Sequence, residues 1–351
     1  MKKGIYLLFV LLLAASLLMG VFACAPKTTA PQTTTAPQKV YTLKYAGYYT
    51  PQTPQAQNYD QFFIARAEAL SNGRIKFEYY PNQQLGKAAD QMDIIGGGAA
   101  ESGFIILAYF TSMEPMFAGL DLPFIFDVDV KRHMEIGFAA AHHPDFQAAL
   151  VKHNLKLLGV DCQGTAGFFS KAPLKKLEDF NGKKIRSAGG MVAQAIKALG
   201  AAPSSMASSE VYLALQTGVV EGAAIHPESG LTSKWYEVSK YVTMPYISLS
   251  GYCMIKAMNL NVWNSLPKDL QDVLLKAGEE TEKNELITMP KLEEQSLADL
   301  AKLGMDITMV PRQETQRWRD VCKPIWGEWL KQSGAPGQRL YDFITKEVGG
   351  K

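Results

Sequence analysis

Few residues in this chain are spaced for chemistry, and most of the spacings exclude it. Arg186 lies near the end of a short strand expected at 184–187, after a turn-rich lead, and precedes Ser187-Ala188-Gly189-Gly190 and a helix start. A guanidinium there offers a rigid fork that fits a carboxylate, and the amides of a helix start favour an anion beside it. On spacing alone the same residue also reads as a surface arginine. Of the five histidines, His142 and His143 lie beside Asp145 and could coordinate a metal, but HHPD equally reads as an exposed turn, and no metal is expected. Cys162, Cys253 and Cys322 show no CxxC spacing, which removes zinc and thioredoxin chemistry. One disulfide between two of them is open, but buried free thiols are the expectation. Gly96-Gly97-Gly98 is followed by Ala99-Ala100-Glu101, matching neither GxGxxG nor GK[ST], and neither GxSxG nor HExxH occurs. Glu279-Glu280 and Glu293-Glu294 fall on a helical stretch and read as a solvated face. With no nucleophile–base set, a binding protein without cofactor is expected rather than an enzyme.

The elements that would carry these residues alternate. Residues 41–49 are rich in β-formers, and 56–70 place Tyr59, Phe62, Phe63, Ala67 and Leu70 at helical spacing before Asn72-Gly73. Strands are expected at 75–79, 103–107, 156–160 and 184–187, and helices at 85–95, 191–199 and 208–217, the last capped by Ser208 or Ser209. Such alternation predicts an α/β body with parallel pairing. From Lys268 to about Leu303 the pattern is helical, with Pro290 expected to kink or break it. Unbroken, it would run about 54 Å, long enough to bridge two domains.

Composition bounds the rest. The chain has 351 residues, 47% hydrophobic and 20% charged, with net charge +2. At roughly 100–200 residues per domain, two domains are expected. Lys2 and Lys3 precede the apolar run 5–19, which as a helix spans only about 22 Å, short of the ~30 Å hydrocarbon core. That is a secretory leader rather than a membrane anchor. It ends in Val21-Phe22-Ala23-Cys24, which resembles a lipobox, so Cys24 is the expected acylated first residue of a mature chain after a signal peptide at 1–23. Residues 24–39, mostly Thr, Pro, Ala and Gln, read as a solvated tether. Without the two leader lysines, 34 basic residues face 34 acidic ones, which gives no electrostatic case for nucleic acid or an acidic membrane surface.

A resemblance sharpens this. The run Leu177-Glu178-Asp179-Phe180-Asn181-Gly182-Lys183-Lys184-Ile185-Arg186, then Leu199-Gly200-Ala201, then Ser209-Glu210-Val211-Tyr212-Leu213-Ala214-Leu215-Gln216-Thr217-Gly218-Val219-Val220-Glu221-Gly222, resembles the DctP-type solute-binding subunits of TRAP (tripartite ATP-independent periplasmic) transporters. Asn72-Gly73-Arg74, Tyr80-Pro81-Asn82, Leu122-Pro123-Phe124, Tyr236-Glu237-Val238 and Leu266-Pro267 fit the same family, so the resemblance covers about 41–335. Glu221 stands where the family usually has Asp.

The resemblance implies a two-lobed periplasmic-binding-protein-like α/β fold, with hinge strands and a long helix spanning both lobes. Lobe I would comprise 40–163 and 252–290, lobe II 164–251 and 291–345. A small organic acid would lie in the cleft, to be handed to the permease's small and large membrane subunits. The family's carboxylate-binding arginine falls on Arg186. The sialate-binding members' polar pocket residues fall on Ala166, Ile106, Tyr109 and Ile225 or His226, so a sugar acid would leave hydroxyls unpaired here. A monocarboxylate with an apolar or aromatic body is expected instead. The expected ligand contacts are Arg186, Tyr48, Phe104, Tyr109, Phe168, Ser208, His226 and Asn259, with Trp235 as scaffold. A monomer tethered outside the cell is expected. The rival readings are a ligand-sensing lipoprotein using the same cleft, a lipid-anchored enzyme, and an adhesion lipoprotein.

Overall fold

A computed structural model describes residues 38–250 and 253–350. Cys24 and the leader lie outside the described residues, and no described helix is long and apolar enough to cross a membrane. Residues 40–351 form one compact unit built around two sheets.

The first sheet contains β1 (Tyr41–Ala46), β2 (Ile75–Tyr80), β3 (Ser102–Ile106) and β4 (Leu155–Cys162), joined from far along the chain by β10 (Cys253–Asn259). Its order is β2-β1-β3-β10-β4. The second contains β5 (Gly167–Ser170), β6 (Lys184–Ser187), β7 (Ala202–Ser205), β8 (Gly222–Ile225), β9 (Tyr241–Pro245) and β11 (Asp306–Val310), in the order β11-β9-β5-β8-β6-β7. The pairing is mixed rather than all parallel: β1 runs parallel to β2 and β3, but β10 runs antiparallel to β3 and β4, and β5 antiparallel to β8 and β9. The reversal has a simple cause. Residues 163–166 carry the chain from β4 into the second sheet, and after β9 it returns to the first, where β10 enters beside β4 in the opposite direction.

Seven shorter helices cover the sheets. The first, α1, runs as Pro54–Ala56, a π-helical turn at Gln57–Gln61, and Phe62–Leu70. Then follow α2 (Gln91–Gly96), α3 (Val130–Ala141), α4 (Pro144–Lys152), α5 (Gly190–Ala198), α6 (Ser208–Thr217) and α7 (Pro227–Thr232). The short α8 (Leu260–Ser265) leads into α9 (Lys268–Lys302). The residue before α6 is its cap: Ala207 is extended and donates its N–H to Glu210 at 2.8 Å, so neither Ser208 nor Ser209 serves. β1 stops at Ala46, three residues short of the expected end, and Gly47 beyond it tucks against Tyr79 and Asp60 where a side chain would not fit.

Helix α9 is the long helix of the sequence. It continues through Pro290 without a break, so the expected breakage does not occur, and at 35 residues it spans about 52 Å. It packs on α1 and β4 of the first sheet and on α7 and β11 of the second, and so reaches both lobes. Its approach to β4 is direct. Gly278 lies so close to Leu158 O that a Cβ would sit 1.8 Å from it, and Gly159 opposes Gly278. Carboxylates of α9 accept from the backbone beside and beyond β4: Glu282 from Val160 N at 2.9 Å, Glu285 from Cys162 N at 3.3 Å and Glu293 from Thr165 N at 2.6 Å. These side chains serve as backbone acceptors at the sheet edge and the crossover. Glu293 is half-buried and turned to the Thr165 amide rather than standing free on a solvated face.

The last helix, α10 (Arg312–Gly349), turns at Gly334, where φ is 61°. Trp318 wedges between Phe124, Phe168 and Phe180, and Trp326 and Trp329 donate to Pro123 O and Pro115 O. Cys162 and Cys253 are register partners on β4 and β10 and form a disulfide, which corrects the expectation of free thiols; Cys322 is buried and free. The strand pairing brings their Cα atoms to 4.5 Å despite a sequence separation of 91. His143 caps α4 by accepting from Asp145 N, and His142 meets Glu282 at 2.9 Å; among the described residues no cluster could hold a metal.

Candidate functional site

Arg186 sits on β6, between β8 and the edge strand β7 of the second sheet, and is 1% exposed. Its Nε and Nη2 donate to Met206 O at 3.1 and 2.9 Å, and Nη1 donates to Ala224 O at 3.3 Å. The face of the Trp235 ring lies 6.0 Å away. Three of the five guanidinium N–H groups are thereby spent, leaving one on each terminal nitrogen, the pair that grips a carboxylate. A fixed, buried arginine has already lost its rotamer freedom, so binding need not order it again.

Arg186 borders a cavity of about 270 Å³ between the two sheets. From the first lobe come Tyr48 and Tyr49, in the loop that follows β1, with Ile106 at the end of β3 and Tyr109 beyond it. From the second come Ala188, Ser208, Ile225 and Ser229, and Gln163 enters from the crossover. The lobes meet across it: Gln55 donates to Ser229 Oγ at 3.4 Å, and Gly190 approaches Ala108 O so closely that a Cβ would be 3.0 Å away. Arg186 is the one charged side chain of the lining among the described residues. Burial pushes the Tyr48 phenol up to about 12 and raises Tyr109, while Arg186 opposes both shifts, a sign of its proximity.

Of the eight expected contacts, Arg186, Tyr48, Tyr109 and Ser208 border this cavity, and four do not. Phe104 is fully buried, stacked between Tyr48 and Tyr59 as the floor on which the lining rests. Phe168 packs with Phe180 and Trp318 in the core. His226 is buried beneath, its pKa lowered to about 3 by loss of solvent and then by His133. Asn259 caps α8 and donates to Ile95 O and Gly96 O, a structural duty that consumes its side chain. Trp235 is scaffold, as expected, edge-on to Phe169. Sequence reasoning missed Tyr49, Gln55, Gln163 and Met254, which also line the cavity. Only the crossover geometry brings these four together.

Residues 45–332 match the family of bacterial extracellular solute-binding proteins, family 7, known as DctP. The chain belongs to this family. It is 30% identical over 297 residues to the C4-dicarboxylate-binding periplasmic protein DctP of Rhodobacter capsulatus, covering 84% of this chain and 87% of that one. Among solved structures it is similar to a Bordetella pertussis extracytoplasmic solute receptor binding pyroglutamic acid (TM-score 0.80, 24% identity, 87% of this chain and 100% of that one). It is also similar to a TRAP solute-binding protein of Rhodoferax ferrireducens in complex with benzoate (TM-score 0.79, 22% identity, 89% and 98%). DctP proteins are extracytoplasmic receptors of TRAP transporters, not enzymes, and the two-lobed fold with an interlobe cavity is that of such a receptor.

Proposed function

We propose that this DctP-family receptor captures a small monocarboxylate with an apolar or aromatic body and delivers it to a TRAP permease. The carrying observation is the charge of the cavity. Among the described residues one arginine, and no second cation or acid, borders a space of about 270 Å³. A single buried guanidinium neutralises one carboxylate; a second carboxylate there would be desolvated without a partner. Ile106, Ile225, Met254, Tyr48 and Tyr109 supply apolar and aromatic surface for the body. Pyroglutamic acid and benzoate, bound by the two structural relatives, are both monocarboxylates.

Arg186 is the carboxylate anchor in this reading, and Tyr48, Tyr109 and Ser208 are flanking contacts. In this reading lobe I comprises 40–163 and 252–290 and lobe II 164–251 and 291–345, and the body is tethered outside the cell through a lipid on Cys24. Thermal unfolding of the purified chain against a panel of acids tests the ligand class. At about 100 times its dissociation constant a ligand stabilises by about 2.7 kcal/mol. Monocarboxylates with an apolar or aromatic body should raise the midpoint, and C4-dicarboxylates and the hydroxyl-rich uronates should not; the reverse order overturns the assignment. For the tether, fractionation of cells carrying Cys24→Ser should move the protein out of the membrane fraction. An unchanged distribution would remove the lipid.

A further inference from the structure

Three lining residues from three separate parts of the chain converge on one hydroxyl. Tyr49 lies in the loop after β1, Gln163 is the first residue beyond β4, and Met254 is on β10; all three border the cavity. Gln163 Nε2 donates to the Tyr49 hydroxyl oxygen, and the Tyr49 O–H points to Met254 Sδ at 3.5 Å.

We propose that the body of the bound monocarboxylate carries a neutral oxygen that accepts the Tyr49 hydroxyl proton, with Gln163 as the positioning residue that aims this proton into the cavity. The inference rests on the monocarboxylate reading above and narrows it to oxo, ether or hydroxy acids.

A phenol hydroxyl prefers the plane of its ring, which gives it two orientations. The Gln163 amide occupies one lone-pair direction, so the proton takes the other, toward Met254. A thioether is a weak acceptor, and the donor is left nearly unspent inside a closed cleft. The ring cannot swing to find a better partner. Tyr48 meets it edge-on with centroids 4.9 Å apart, Phe104 edge-on at 5.2 Å, and Tyr59 at 5.9 Å. Burial pushes the Tyr49 phenol well above its ordinary value, so it stays a donor across the physiological range. A ligand oxygen placed against it replaces a weak sulfur contact with a full hydrogen bond, and an isostere lacking that oxygen leaves the donor unmet. The oxygen must be neutral, because no second cation borders the cavity among the described residues.

The test is equilibrium titration of the full chain with two isosteric pairs: 3-methoxybenzoate against 3-ethylbenzoate, and 3-oxocyclopentanecarboxylate against 3-methylenecyclopentanecarboxylate. The oxygen-bearing member of at least one pair should bind about tenfold tighter. Tyr49→Phe should bring that ratio close to one while the affinity of the oxygen-free member holds. Gln163→Leu should reduce the ratio with Tyr49 still present; a merely structural role for Gln163 would weaken both members equally. Equal binding within both pairs by the wild type, or an unchanged ratio in Tyr49→Phe, overturns this inference alone. Failure of all four acids to bind the wild type overturns the monocarboxylate reading, and this one with it.

Discussion

Acids removed from solvent make the fold sensitive to pH, and among them fully buried Glu285 is pushed well above the usual carboxylate range by loss of solvent. Glu228 is 1% exposed, and its carboxylate oxygens reach no partner beyond its own backbone amide; loss of solvent raises its pKa to about 8. Burial likewise brings Glu293 and Asp60 to about 7, although Lys256 and the hydroxyls of Tyr45 and Tyr79 pull Asp60 back. A raised carboxyl makes the folded chain bind more protons than the unfolded one, so stability falls as pH rises from the unfolded pKa to the folded one. His226, with its pKa lowered to about 3, acts oppositely, but only below about pH 6.5. His142, raised by Glu282, adds to the fall. The clean window is therefore pH 6.5 to 8.5. There the unfolding free energy should drop, with Glu228 contributing roughly 2 kcal/mol, and Glu228→Gln should flatten the slope. Urea unfolding at several pH values reads both; a flat wild-type profile contradicts this account. At this scale the sequence was half legible. Arg186, Tyr48, Tyr109 and Ser208 could be placed because motifs fix their positions along β6, α6 and the loops. Phe104 and Phe168 could not, because an aromatic in a strand has the same pattern whether it faces core or cavity.

Among the elements, α9 is the most legible and the most constrained. Its period and length are plain in the sequence, and its reach across both lobes followed from length alone. What the sequence hid was that Pro290 leaves it unbroken and that its acids face inward to the backbone of β4 and the crossover. A charge-rich helix gives no sign that particular glutamates accept from a sheet edge until the helix is docked. Gly278 marks that docking. In an exposed helix, glycine to alanine gains about 1 kcal/mol. Here the added Cβ would lie 1.8 Å from Leu158 O, backbone that cannot yield. Gly278→Ala should therefore destabilise by about 3 kcal/mol, read by urea unfolding. A stabilised variant would mean that helix and strand are not in this contact.

Over the whole molecule, the disulfide joins the two strands that leave and re-enter the first lobe. Cys162 ends β4 just before one crossover, and Cys253 begins β10 just after the other. With a sequence separation of 91 between its ends, it restrains a long loop of the unfolded chain. Removing it in Cys162→Ala/Cys253→Ala should cost about 2–5 kcal/mol and lower the melting midpoint, while 1 mM reductant should affect only the wild type. An equal response of both proteins would show that the thiols are free. The pairing was out of reach of the sequence because it depends on β10 returning beside β4, a consequence of the crossovers and not of cysteine spacing.

The central claim is that one buried arginine holds one carboxylate between two lobes. Its most direct test is calorimetric titration of a bound monocarboxylate into wild type and Arg186→Lys, with the melting midpoint of each recorded without ligand. Lysine keeps the charge but loses the planar fork and the tie to Met206 O. The account predicts a loss of about 2–3 kcal/mol in binding, roughly 30- to 150-fold, in a chain that still unfolds cooperatively. Equal affinity in the two proteins would contradict it and move the carboxylate away from Arg186.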